Sequence, residues 1–124
     1  MARILVVDDE EIIRFTLRQI LEKAGHEVLE AANGRDAQDS YEEHRVDLVI
    51  TDIIMPEKEG IETIVELRQR QPDLRIIAVS GGGRTRTLDY LEIAERLGAD
   101  GALAKPLNRQ AVIDAVDKAL GTAR

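Results

Sequence analysis

Cysteine and tryptophan are both missing from this chain of 124 residues. Without cysteine there is no disulfide framework and no thiolate metal site. The aromatic side chains are Phe15, Tyr41 and Tyr90, so the core must be aliphatic. No apolar run approaches the ~20 residues that a membrane-spanning helix needs. Met1-Ala2-Arg3 leads straight into a strand-like segment without a signal-peptide pattern, and a cytoplasmic location is the expectation. Positive charge is also in deficit. Lys and Arg total 17 against 24 Asp and Glu, a formal net charge of −7. Such a surface repels nucleic-acid phosphates, which excludes direct DNA or RNA binding from the leading functions.

What is present suits one compact domain with one core. Apolar residues make up 44% of the chain. Five short apolar runs recur, at 4–7, 27–31, 48–51, 76–79 and 102–104, and a longer segment with helical spacing follows each. Ile13, Leu17, Ile20, Leu21 and Ala24 mark the first helical face, with Gly25 as its stop. Asn33 is placed to cap the second helix, with Ala37 and Tyr41 inward. The third carries Ile61, Ile64, Val65 and Leu67 and stops before Pro72. The fourth carries Leu88, Leu91, Ala94 and Leu97, and the last runs from Asn108 through Val112, Val116 and Leu120 to Gly121. Strands alternating with helices predict an α/β fold, a parallel sheet covered on both faces. The more polar second run, HEVLEA, suits an edge. Residues 1–124 are read as a single domain.

Ligands of such sheets bind beyond the carboxyl ends of the strands. Strand one ends in Asp8-Asp9-Glu10-Glu11, strand three in Asp52, strand four in Ser80-Gly81-Gly82-Gly83 and strand five in Lys105-Pro106. If strands one and three are neighbours, Asp8, Asp9 and Asp52 converge. Carboxylates gathered in a partly desolvated site repel one another and require an offsetting cation. Magnesium suits such oxygen ligands, Lys105 supplies a fixed ammonium and Ser80 a hydroxyl. Those are the parts for handling a phosphoryl group. Any one acid could simply favour the start of the following helix, as Asp9 or Glu11 would; the ordered set is harder to explain that way.

The acid pair in "ILVVDDEE", Asp52 in "DLVITDIIMPEKEG", Ser80 and Lys105 in "GADGALAKPL" together resemble the response-regulator receiver domains (CheY-like) of bacterial two-component signalling, across essentially the whole chain. The resemblance implies a doubly wound, flavodoxin-like (βα)5 sheet in the order 2-1-3-4-5, and a stand-alone receiver without an output domain. It implies Asp52 as phosphoacceptor from a histidine kinase phosphohistidine. Asp9, Asp52 and the backbone carbonyl of Ile54 would bind Mg2+ (or Mn2+), with Asp8 acting through a water. Lys105 would pair with Asp52 and then with the phosphoryl oxygens, and Ser80 would hydrogen-bond the phosphoryl group. A cis Lys105–Pro106 peptide is also implied, against a base rate of about 5–6% for X-Pro bonds. The implied output is a changed surface on the fourth helix, fifth strand and fifth helix, read by a downstream protein partner. The alternative is a relay intermediate that passes phosphate to a histidine phosphotransfer protein. The family member is a phosphoacceptor that assists its own chemistry rather than a conventional enzyme.

Three features depart from the family pattern. Ala102 stands where a tyrosine or phenylalanine is usual, so the customary aromatic readout is in doubt. The stretch "SGGGRTRTLDYL" is a few residues longer than the typical loop. Its glycines suit a hinge, Thr85 or Thr87 a cap, and Tyr90 a partly exposed helix position rather than a displaced aromatic switch. Glu59 replaces the more common aspartate before Gly60. His26 and His44 read as surface histidines, and Arg84 and Arg86 as solvated loop charges. Ile54 and Gly82 would line the path of hydrolytic water. Other classes fit less well. A phosphatase using an aspartyl-phosphate would need a second acid where Ile54 sits. A flavin domain's phosphate would be repelled by the acids after strand one. An unphosphorylated scaffold would not need Asp9, Asp52, Ser80 and Lys105 together.

Overall fold

The computed structural model describes residues 2–52, 59–80 and 98–121, excluding the side chains of residues 59–61 and 63. The strands are β1 (Arg3–Val7), β2 (Glu27–Ala31), β3 (Leu48–Asp52), β4 (Arg75–Ser80) and β5 (Gly101–Ala104). They form one parallel sheet in the order β2-β1-β3-β4-β5, the expected doubly wound arrangement. The described helices are α1 (Glu11–Lys23), α2 (Gly34–Glu43), α3 (Glu59–Arg70) and α4 (Arg109–Leu120), the last following β5. The fourth helical segment expected from the sequence, with Tyr90, Arg84, Arg86, Thr85, Thr87 and Gly82, lies outside the described residues.

Strand burial follows the apolar runs. Every residue of β3 is buried, and β1 and β4 are buried after their first residue. β2, with Glu27 exposed and Glu30 half-buried, lies at one edge and β5 at the other. The sheet divides the apolar interior in two rather than enclosing one core. Ile4, Val6, Leu48, Ile50, Ile77 and Val79 face α1 and α4 residues such as Leu17, Leu21, Val112 and Val116. Leu5, Val7, Val49, Ile76 and Ala78 face Ala37 of α2 and Ile64 and Leu67 of α3. Period-two alternation along each strand sends successive side chains to opposite faces, so a strand buried on both must be apolar throughout. Ile50 is fully buried, and Ile50→Ala is expected to cost about 2–5 kcal/mol.

The helix ends follow local chemistry. Asn33 Oδ1 accepts from the Asp36 N–H at 2.8 Å and Asn108 Oδ1 from the Ala111 N–H at 3.0 Å, capping α2 and α4. Gly25 after α1 and Gly121 after α4 have φ of 97° and 78°, where a side chain would be strained. Two assignments to inner faces need correction. Ala24 is exposed because α1 has ended at Lys23, and Val65 is 36% exposed because Ile64 and Leu67 occupy the inward face of α3. His26 is half-buried, contrary to its surface reading. Its Nδ1 accepts from the Ala2 N–H at 3.1 Å, a contact made by the turn between α1 and β2, and burial lowers its pKa. His44 is exposed as expected.

Candidate functional site

Because all strands are parallel, their carboxyl ends meet on one edge of the sheet. β1 ends at Val7 and hands the chain to Asp8, β3 ends in Asp52, β4 in Ser80, and β5 hands it to Lys105. Asp8, Asp52 and Ser80 are all nearly or fully buried. Lys105 keeps only 12% of its side chain exposed. Its ammonium reaches across two neighbouring strands. Nζ lies 3.1 Å from Asp52 Oδ2, 3.2 Å from Asp8 Oδ2 and 2.8 Å from Glu10 Oε1. The Lys105–Pro106 peptide is cis, as the resemblance implied.

Asp8 is held on every side. Its N–H donates to Ala31 O at 3.1 Å, its carbonyl accepts from Arg14 at 2.8 Å, and Oδ1 accepts from the Glu10 N–H at 2.8 Å. Burial pushes its carboxyl up to about 6. The Asp52 charge adds to this, while the Glu10 N–H and Lys105 oppose it. For Lys105, burial pulls the ammonium pKa down. The hydrogen bond to Glu10 and the charges of Asp52 and Asp8 outweigh it, so the net shift is upward. The ammonium therefore stays charged across the physiological range.

Ser80 presents a different condition. Among the described residues its buried Oγ has no hydrogen-bond partner, a state that costs on the order of 1–3 kcal/mol. Its carbonyl accepts from the Lys105 N–H at 2.9 Å, so the two residues are joined through their backbones. An orphaned hydroxyl whose backbone is bonded to that of the lysine suits a site awaiting an oxygen-rich ligand.

One carboxylate oxygen each from Asp8, Glu10 and Asp52 lies within 4.8 Å of the others. Hard oxygen donors at this spacing fit Mg2+. Of the expected metal-binding residues, the structure brings Asp8 and Asp52 into this group. Asp9 is exposed beside it, and Ile54 lies outside the described residues. Glu10 was not foreseen, although the unbroken DDEE run carried the signal. Ala102 is exposed on β5, between half-buried Gly101 and buried Leu103.

Comparisons with known proteins agree with this architecture. A family model described as "Response regulator receiver domain" matches residues 4–117. Chemotaxis protein CheY of Thermotoga maritima is 39% identical over 117 residues, spanning 94% of this chain and 95% of that protein. Sporulation initiation phosphotransferase F of Bacillus subtilis is 35% identical over 118 residues, spanning 95% and 93%. Among solved structures, Vibrio cholerae chemotaxis protein CheY4 superposes with a TM-score of 0.85 at 30% identity, over 97% of this chain and 99% of that one.

Proposed function

Because the chain belongs to the response regulator receiver family, a family of phospho-accepting signalling switches in two-component systems, we propose that Asp52 is its phosphoacceptor. The observation that carries this reading is the Lys105 ammonium held 3.1 Å from a nearly buried Asp52 carboxylate. In the proposed reaction an Asp52 carboxylate oxygen attacks the phosphorus of a histidine kinase phosphohistidine. The P–O bond forms as the P–N bond breaks, and the imidazole nitrogen keeps the electron pair and takes up a proton. Lys105 neutralises Asp52 beforehand and the phosphoryl oxygens afterwards. Ser80 Oγ then gains the acceptor it now lacks.

Receiver domains typically bind Mg2+ at an acidic pocket, and Asp9, Asp52, Asp8 through a water and the Ile54 carbonyl would hold Mg2+ or Mn2+ here, with Glu10 a further carboxylate at the rim. When bound, the ion supplies positive charge to the phosphoryl oxygens.

Receiver domains interact with histidine kinases and downstream targets. For this chain, acting in the cytoplasm, the partners are a sensor histidine kinase or histidine phosphotransfer protein and a downstream protein target. Ile12 and Phe15, 64% and 53% exposed at the start of α1, support a protein partner close to the acidic turn. Among the described residues no helix is long and apolar enough to cross a membrane. The chain acts as a single receiver domain, and its output is a changed surface around the fourth helical segment, β5 and α4. Ala102 offers only a methyl group there, so Ser80 and the glycine stretch after it carry the switch. Unchanged amide shifts in that stretch after phosphorylation would rule this out. Similarity to the sporulation phosphotransferase favours one second reading, a relay intermediate that passes phosphate to a histidine phosphotransfer protein.

Incubation with phosphoramidate and Mg2+, followed by intact mass measurement, tests the assignment. One phosphoryl adduct is expected on the wild type and none on Asp52→Asn. An unmodified wild-type mass, with the protein folded, would reject it.

A further inference from the structure

A chain of charged contacts runs from the edge strand into the acidic site. Glu30 of β2 lies opposite Val6 of β1, on the sheet face where Val28 packs with α1. Two arginines one turn apart on α1 share its carboxylate. Arg14 Nε donates to Oε1 at 3.0 Å, and Arg18 Nε donates to Oε2 at 2.5 Å. The Glu30 carboxyl is held below its ordinary pKa, first by Arg18 and then by Arg14.

The two arginines then diverge. Arg18 turns back along the helix and strand, donating to Glu22 and to the Val28 carbonyl. Arg14, 17% exposed, sends its NH1 forward to the Asp8 carbonyl at 2.8 Å. Asp8 thus has its amide fixed by the end of β2, its carboxylate by Lys105 and the Glu10 N–H, and its carbonyl by Arg14. Of these restraints, Arg14 alone comes from a side chain that does not touch the acidic group itself. It also brings a positive charge to the turn that carries Asp8, Asp9 and Glu10.

We propose that Arg14, aligned by Glu30, is a positioning residue for the acidic site, fixing the turn between β1 and α1 so that its carboxylates face Asp52. This rests on the phosphoacceptor reading above. Groups that orient metal ligands from behind typically change metal affinity 10–100-fold when removed, and Arg18 provides a built-in control. It shares the same carboxylate and helix without reaching Asp8.

The test is Mg2+ affinity of the unphosphorylated protein, read from amide shifts in an NMR titration, alongside the Tm. Arg14→Gln also removes a charge that opposes Mg2+, yet the lost positioning is expected to dominate and raise the Kd about tenfold. Glu30→Gln, which keeps the Arg14 charge but loosens its aim, should raise it roughly threefold. Arg18→Gln should lower Tm comparably yet leave the Kd within about twofold. A wild-type Kd in Arg14→Gln, or equal shifts in Arg14→Gln and Arg18→Gln, would reduce Arg14 to a structural clamp and overturn the proposal. If Arg14→Gln does not fold, Arg14→Lys keeps the charge with a single donor site and should still weaken binding; an unchanged Kd there overturns the proposal equally. Wild-type protein that failed to bind Mg2+ would instead sink the phosphoacceptor reading, and this inference with it.

Discussion

The two ends of the sheet use the same residue types and reach opposite conditions. At the amino ends, acids are matched with bases. Arg3 pairs with Glu27 at 3.2 Å and its N–H donates to Asp47 at 2.9 Å. Arg68 pairs with Asp100, which also accepts the Ile76 N–H. The buried Nε atoms of Arg3 and Arg68 make no hydrogen bond among the described residues, and each belongs to a guanidinium that is otherwise bonded and paired with a carboxylate. At the carboxyl ends, three acids share Lys105, and Ser80 Oγ has no partner among the described residues. The first arrangement finishes the fold. The second carries surplus negative charge and an idle donor, which a metal ion and a phosphoryl group would together resolve. Charge is thus matched locally at one end of the strands and pooled around a single shared ammonium at the other.

Removing the shared cation should break the contrast most severely. Lys105→Met leaves Asp8 and Asp52 buried without it and is expected to cost ~3–5 kcal/mol at pH 7.5. Urea unfolding at pH 7.5 and pH 5 checks this, with a smaller loss at pH 5, where Asp8 takes up a proton. Asp8 itself gives the next effect. Its carboxyl holds a proton up to about pH 6 in the folded protein, against 3.8 for an ordinary aspartate. Between those values the folded state binds more protons than the unfolded chain. Stability therefore falls as pH rises through the window, by up to ~3 kcal/mol, and is unaffected below it. Asp8→Asn should abolish that decline, so the variant gains on the wild type between pH 4 and pH 7 in denaturation curves.

Ser80→Ala sharpens the contrast from the other side. It deletes an idle hydroxyl, so the unmodified protein should be unchanged or stabilised by up to ~1 kcal/mol. Its phosphorylated form should lose the Ser80 contact, seen as an altered phosphate lifetime in a mass-spectrometric time course. The smallest effect belongs to the finished end. Arg3→Gln removes an exposed pair worth ~0.5 kcal/mol, and its Mg2+ affinity in calorimetry should match the wild type.

Much of this was legible in the sequence because it depends on local pattern. Apolar runs located the strands and Asn33 and Asn108 announced caps, whereas the pairing of Lys105 with Asp52, across 53 residues of chain, was implied by the family resemblance. The strand order came from family resemblance rather than strand composition. What escaped notice depends on distance through the fold. Glu10 meets Lys105 across 95 residues of chain, and Glu30 looked like an ordinary edge-strand charge until Arg14 and Arg18 were seen to share it. His26 looked isolated because its partner is a backbone N–H, which no side-chain spacing can reveal. Ala24 and Val65 failed for a simpler reason: helical periodicity marks a stripe, and residues at its end or margin need not be covered.

The most direct test of the contrast is thermal unfolding with beryllofluoride and Mg2+, which present a phosphoryl-like group to Asp52. Near saturation the wild type should rise in Tm by about 8 °C, and Asp52→Asn should not respond. An unmoved wild-type Tm, or an equal rise in Asp52→Asn, would contradict the claim that the carboxyl end of the sheet is completed by a phosphoryl group on Asp52.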